Sequence, residues 1–124
     1  MFAETTTTAY IAALTAAQAA DSRIAGATTP AADLDLTGAR VFLTADANTG
    51  YAIKASGELV GVFSVIKGRG DAIVSDAILN GASALDCFDG YLPTFYARHG
   101  FVVVAREANW TPGEPDVVFM ALAR

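Results

Sequence analysis

The apolar period changes near residue 41, and that change limits the possible folds more than any other feature of the chain. Before it, residues 5–25 place Tyr10, Ile11, Leu14 and Ala17 at helical spacing behind a Thr run that can cap a helix, with Gly26 able to stop it. Residues 26–39 are rich in turn formers and read as a loop holding one short turn of helix. After it, 41–46 reads as a strand, 47–50 as a turn and 51–55 as a second strand. Ser56-Gly57 is a two-residue hairpin signal, and 58–66 reads as a third strand. This predicts an antiparallel meander whose third strand, apolar on both faces, is covered on two sides.

The second half alternates. KGRGDA (67–72) is a Gly-rich loop, and Ile73, Val74, Ala77, Ile78 and Ala82 form a helical stripe closed by Asn80-Gly81. Residues 84–88 read as a strand, expected to lie parallel to 58–66 through a right-handed crossover. A helix with Pro93 near its start runs to His99, with Gly100 just beyond. Strands 101–105 and 116–122 pair antiparallel across the loop 107–115. The order predicts an α/β or α+β sandwich: a mixed, mostly antiparallel sheet with helices on both faces. No linker divides the chain, so a single domain over 1–124 is expected.

Composition excludes several function classes. The chain of 124 residues is 53% hydrophobic and 17% charged, enough apolar material for a core and unlike a disordered chain. Its formal charge of −5 argues against a nucleic-acid binder, which needs a Lys/Arg footprint, and suits a cationic acceptor or simply solubility. One His and one Cys rule out a His/Cys metal cluster, and the carboxylates lack calcium-loop spacing, so no metal is expected. No apolar run approaches a membrane span. The opening MFAETTTTAY lacks the basic region of a secretion signal, and Cys87 cannot form an internal disulfide. Together these predict a reducing, cytoplasmic setting.

The chemistry concentrates in two places. The loop joins a central strand to a helix, whose first backbone N–H groups and dipole make an anion site. Gly68 and Gly70 let an oxyanion approach the backbone, and Lys67 and Arg69 add positive charge. A phosphate or pyrophosphate is the natural guest; the alternative is a plain strand-to-helix turn capped by Asp71. The second place is Tyr96-Ala97-Arg98-His99-Gly100-Phe101, a phenol four residues before a Gly-Phe that ends a helix and starts a strand. The alternative there is a core aromatic and a helix stop.

In order and spacing, loop, helix, strand, helix and Tyr-x-x-x-Gly-Phe resemble the GNAT superfamily of acyl-CoA-dependent N-acetyltransferases, over about residues 41–124. Lys67, Gly70 and Ala72 fall on the three defining positions of that family's Gln/Arg-x-x-Gly-x-Gly/Ala loop, with Lys in place of Gln or Arg. The resemblance implies that acetyl-CoA is the co-substrate and an amine of a small molecule or protein the acceptor. Lys67, Gly68, Arg69, Gly70, Asp71 and Ala72 would then hold the pyrophosphate, mainly through backbone N–H groups. The backbone of Phe63, Ser64 and Val65 would face the pantetheine arm and thioester, with the Val65 N–H as an oxyanion donor. Tyr96 would protonate the departing thiolate.

The family's first strand and two leading helices look reduced here to one helix and a loop over 1–40. That reduction would leave a sheet edge open to a homodimer. Glu58, Asp86 and Asp89 are candidate general bases, each also explicable as an ordinary turn or strand-end carboxylate, with Asp89 suited to capping the last helix. Cys87 reads as an acyl relay or a buried small hydrophobe, His99 as a base or a helix-end cation, and Trp110 as an acceptor wall or sheet cover. A catalytically inactive GNAT-fold interaction or regulatory protein is the alternative to an enzyme.

Overall fold

The computed structural model describes residues 1–123. The chain forms two compact units, Met1–Ala82 and the remainder from Ser83. Every strand ladder is antiparallel, and the strands form two sheets. The architecture is α+β.

The first unit opens with β1 (Phe2–Thr5), α1 (Thr7–Ala20) and α2 (Ser22–Ala27). Thr6 caps α1, its hydroxyl accepting from the Ala9 amide at 3.1 Å, which is the use expected of the Thr run. Two expectations fail here. The single helix over 5–25 breaks at Asp21, whose extended backbone ends α1 while its side chain caps α2. The N-terminal part is also not reduced: a strand and two helices precede the meander. β1 pairs antiparallel with β2, so the edge expected to be open is covered.

The meander follows as β2 (Arg40–Thr44), β3 (Thr49–Ile53) and β4 (Leu59–Ser64), giving the sheet order β1-β2-β3-β4. Alternation along the strands divides the side chains between two faces. Val41, Leu43, Ala52 and Phe63 join Tyr10, Leu14, Ala17 and Ile24 of α1 and α2 in one core. On the other face Phe42 stacks on Tyr51 at 4.8 Å. The Tyr51 hydroxyl there donates to the Asp76 carboxylate on α3 (Gly70–Leu79). Helices therefore cover both faces of this sheet.

β4 carries one extra residue: Ala52 faces Val60 while Gly50 faces Phe63. The bulge centres on Gly61, at φ +59°, whose carbonyl accepts from the Tyr10 hydroxyl. Only a residue without a Cβ fits this bend, because a Cβ would overlap that hydroxyl. Beyond the bulge Phe63 and Ser64 still pair with Gly50 and Thr49, and the strand ends at Ser64.

The second unit contains β5 (Ala84–Phe88), α4 (Tyr91–Ala97), β6 (Phe101–Glu107) and β7 (Val117–Leu122), with sheet order β5-β7-β6. The closing hairpin pairs as expected. β5 differs: its ladder is to β7, antiparallel, and no parallel ladder joins it to β4 among the described residues. Leu85, Tyr96, Phe101, Val118 and Met120 are the buried side chains of this unit.

Candidate functional site

The loop between β4 and α3 lines an open cleft of about 330 Å³ that lies wholly within the first unit. One wall is α2 with the residues flanking it, including Asp21, Arg23, Ile24 and Thr28; the other runs from Val62 to Gly70, with Ile73. Ile24, Val62 and Val65 give the cleft an apolar lining; Lys67 brings positive charge to it, and Arg23, paired with Asp21 at 3.0 Å, lines it with Arg69. The contribution of α2 is invisible in the local sequence, because it depends on how the helix packs on the sheet.

Gly68 adopts φ +84°, and nothing lies within 4 Å of where a Cβ would stand. The glycine is thus required by the backbone turn and not by crowding, and it leaves open space beside the peptide. The first helical hydrogen bond of α3 runs from the Ile73 amide to the Arg69 carbonyl at 3.0 Å. The amides of Gly70, Asp71 and Ala72 therefore precede the ladder, at the positive end of the helix. Arg69 occupies the cap position with no side-chain capping bond, so the expected cap, Asp71, is instead an acidic first-turn residue. Lys67, Asp71 and Ala72 are exposed.

Two expected contributors, the Val65 N–H and the Arg69 side chain, are engaged by residues 46–49, while Phe63 and Ser64, expected to act through their backbone, turn their side chains elsewhere. The Val65 N–H, expected as an oxyanion donor, already donates to the Asn48 carbonyl at 2.9 Å. The Phe63 side chain is core, edge-on to Tyr10 at 6.0 Å. Ser64 Oγ lies 2.9 Å from Thr49 Oγ1 and donates to the Ile66 carbonyl at 2.6 Å. Arg69 faces Asp46: Nη2 meets Oδ2 at 3.0 Å, and Nη1 donates to Thr49 Oγ1 at 3.0 Å. The guanidinium charge is thus matched by a carboxylate. In the sequence Asp46 reads as the last residue of the strand 41–46, but β2 ends at Thr44 and Asp46 lies in the turn that follows. Its Oδ1 also accepts from the Thr44 hydroxyl at 2.6 Å and the Asn48 amide at 3.0 Å. The Arg69 hydrogen bonds, then those from Thr44 and Asn48, hold its carboxyl far below the usual carboxylate range.

Tyr96 belongs to the second unit and is 8% exposed, edge-on to Phe95 at 5.2 Å and Phe101 at 6.0 Å. Burial, then the nearby Cys87 and Asp86, pushes its phenol up to about 12, so it keeps its proton throughout the physiological range. Burial, then Asp86 and Asp89, pushes the half-buried Cys87 thiol up to about 11. Very little thiolate exists at neutral pH, which suits a small hydrophobe better than an acyl relay.

The three candidate bases differ. Glu58 pairs with Lys54 at 3.5 Å, and Asp89 pairs with Arg106 at 2.9 Å; Asp86 is exposed. The cap of α4 is Gly90, with no side-chain bond, so Asp89 does not cap the helix as expected and instead accepts from the Gly90 amide and Arg106. Gly100, at φ +94°, lies just past the end of α4. Trp110 is exposed, and the His99 ring meets Phe95 at 5.4 Å. Among the described residues no group of His, Cys, Asp and Glu could hold a metal ion, and no helix is long and apolar enough to cross a membrane.

No protein-family model matches the sequence, and no curated protein does. Solved structures do resemble this one. An acyl-CoA N-acyltransferase from Pseudomonas aeruginosa superposes with a TM-score of 0.71 at 16% identity, over 99% of each chain. A protein from Lactobacillus plantarum assigned as an N-acetyltransferase gives 0.58 at 17% identity, over 98% of this chain and 96% of that one. One from Klebsiella pneumoniae assigned as an acyl-CoA N-acyltransferase gives 0.53 at 21%, over 98% and 95%. At these identities the likeness concerns architecture, and the chain has the GNAT fold of the acyl-CoA N-acyltransferases.

Proposed function

We propose that this protein is an acyl-CoA-dependent N-acyltransferase that moves an acetyl group from acetyl-CoA to an amine. One observation carries the reading: a glycine-turned loop leaves a bulged strand and enters α3, with its pre-ladder amides beside a cleft that has apolar walls and basic groups. Pyrophosphate suits the amides of residues 68–72, and the pantetheine arm suits the apolar wall from Phe63 to Val65. A melting experiment tests the binding step. Acetyl-CoA at ~100 times its dissociation constant stabilises the native state by about 2.7 kcal/mol, which raises Tm by several degrees. No shift at millimolar acetyl-CoA would end the proposal.

Tyr96 is assigned the proton donor's role on its match to the family's tyrosine. A phenol near 12 is a weaker acid than a thiol of about 8.5, so complete proton transfer to the thiolate runs uphill. Tyr96→Phe should therefore lower turnover by ~10–100-fold, at or below the low end for general acid catalysis, with acetyl-CoA affinity nearly unchanged. Because burial keeps the donor form intact up to about pH 12, the wild type should show no decline from Tyr96 ionisation between pH 6 and 9. The variant's deficit should be least at low pH, where solvent supplies protons. Wild-type turnover across that range would remove Tyr96 from the mechanism.

A second reading, a GNAT-fold protein that binds acyl-CoA without turnover, is favoured by the occupied Val65 N–H and the burial of Tyr96. A melting shift with no thiol release against a panel of amines would select it.

A further inference from the structure

We propose that Asp46, Thr49 and Arg69 form a lock that holds the β4–α3 loop in its anion-binding shape, with Arg69 a positioning residue and not a phosphate ligand. The proposal rests on the acyl-CoA reading of that loop. Its first support is burial. Thr44 is 6% and Thr49 0% exposed, and apart from the tyrosines they are the only residues with polar side chains that are buried among the described residues. A buried hydroxyl is costly unless bonded, and both are bonded into one network that ends in the loop.

The network has a direction. Arg69 donates to Thr49 Oγ1, so the Thr49 hydrogen is left for Ser64 Oγ, and Ser64 in turn donates to the Ile66 carbonyl. The Ile66 amide donates back to Ser64 Oγ at 3.1 Å. One residue earlier, the Val65 amide is held by the Asn48 carbonyl. Residues 46–49 therefore pin the loop on both sides of its apex, at Val65 and Ile66 before it and at Arg69 after it. Lys67 and Gly68 lie between the pins. Arg69 also supplies the carbonyl that starts the α3 ladder, so its side chain sets where the helix, and its leading amides, begin. Asp46 holds the guanidinium through both carboxylate oxygens.

The alternative role for Arg69 predicts an effect of opposite sign. If the guanidinium were a phosphate ligand, Asp46 would compete for it, and Asp46→Asn would tighten acetyl-CoA binding. If the pair is a lock, Asp46→Asn weakens binding by about tenfold, the scale of one lost charge-assisted hydrogen bond. Asn retains an acceptor for the Asn48 amide, so the turn itself survives. Arg69→Gln should weaken binding similarly, and the double variant should be no worse than either single one. Thr49→Val, close in volume, should act in the same direction by cutting the relay to Ser64.

The test is calorimetric titration with acetyl-CoA, paired with amide hydrogen exchange on the unliganded protein. Faster exchange across residues 65–72 in Asp46→Asn is the signature that a phosphate ligand would not produce. Unchanged or tighter binding by Asp46→Asn, or unchanged loop exchange, overturns the lock. If the wild type fails to bind acetyl-CoA, the proposed function falls, and the lock is then decided by exchange alone.

Discussion

Gly61→Ala lowers the stability of the first unit by about 3–5 kcal/mol, the range of severe single substitutions. Three effects add. The residue holds φ +59°, where an L side chain costs roughly 1–2 kcal/mol. The new Cβ would overlap the Tyr10 hydroxyl and come within 3.3 Å of Leu34 Cδ2. Tyr10 is fully buried, so its ring cannot yield into solvent, and moving it breaks the bond to the Gly61 carbonyl. A buried polar atom left without its partner costs a further ~1–3 kcal/mol. Removing the hydroxyl first should relieve part of the strain, so Tyr10→Phe/Gly61→Ala should be less destabilised than the sum of the single changes. Denaturant midpoints for the four proteins measure this cycle. A Gly61→Ala midpoint close to wild type would mean that the bulge relaxes and does not fix the bend in β4.

Gly70→Asp should abolish acetyl-CoA binding, with a loss of at least ~100-fold, while leaving the protein folded. The two consequences have opposite signs because the same dipole acts on both. Gly70 is the first residue of α3, and a carboxylate in a first turn stabilises a helix by ~0.3–1 kcal/mol. For an incoming pyrophosphate, that carboxylate is a second negative charge beside Asp71, attached where the backbone must be approached closely. Titration of the variant with acetyl-CoA, alongside its melting temperature, separates the two effects. Lys67→Ala should cost only a few-fold, since Lys67 is exposed and most donors are backbone. A Lys67→Ala loss larger than that of Gly70→Asp would show that side-chain charge, and not the amide cradle, holds the ligand.

The occupied Val65 amide changes how an oxyanion could be stabilised. In the proposed reaction the donor must come from elsewhere in the cleft, or the Asn48 bond must open on binding. If Tyr96 acts in the proposed reaction, its burial and raised pKa would favour a hydrogen bond from the phenol over outright loss of its proton.

Local pattern alone determined the elements whose signals are short-range. The Thr cap before α1, the meander, the position of the Gly68 turn and the Gly100 stop before β6 all follow from φ preferences and apolar period, which act over a few residues. Tertiary structure decided what depends on partners far along the chain. FAET is too short and too polar to read as a strand, and it becomes β1 only because its backbone pairs with 41–44. The division of strands between two sheets rests on ladders that no single segment encodes. Gly61 reads as an ordinary strand glycine until Tyr10, 51 residues earlier, reaches its carbonyl. Arg69 reads as a loop cation until Asp46, 23 residues away, takes its charge. Propensity acts through the local backbone, whereas a hydrogen bond or ion pair depends on distance in space, which only the folded chain sets.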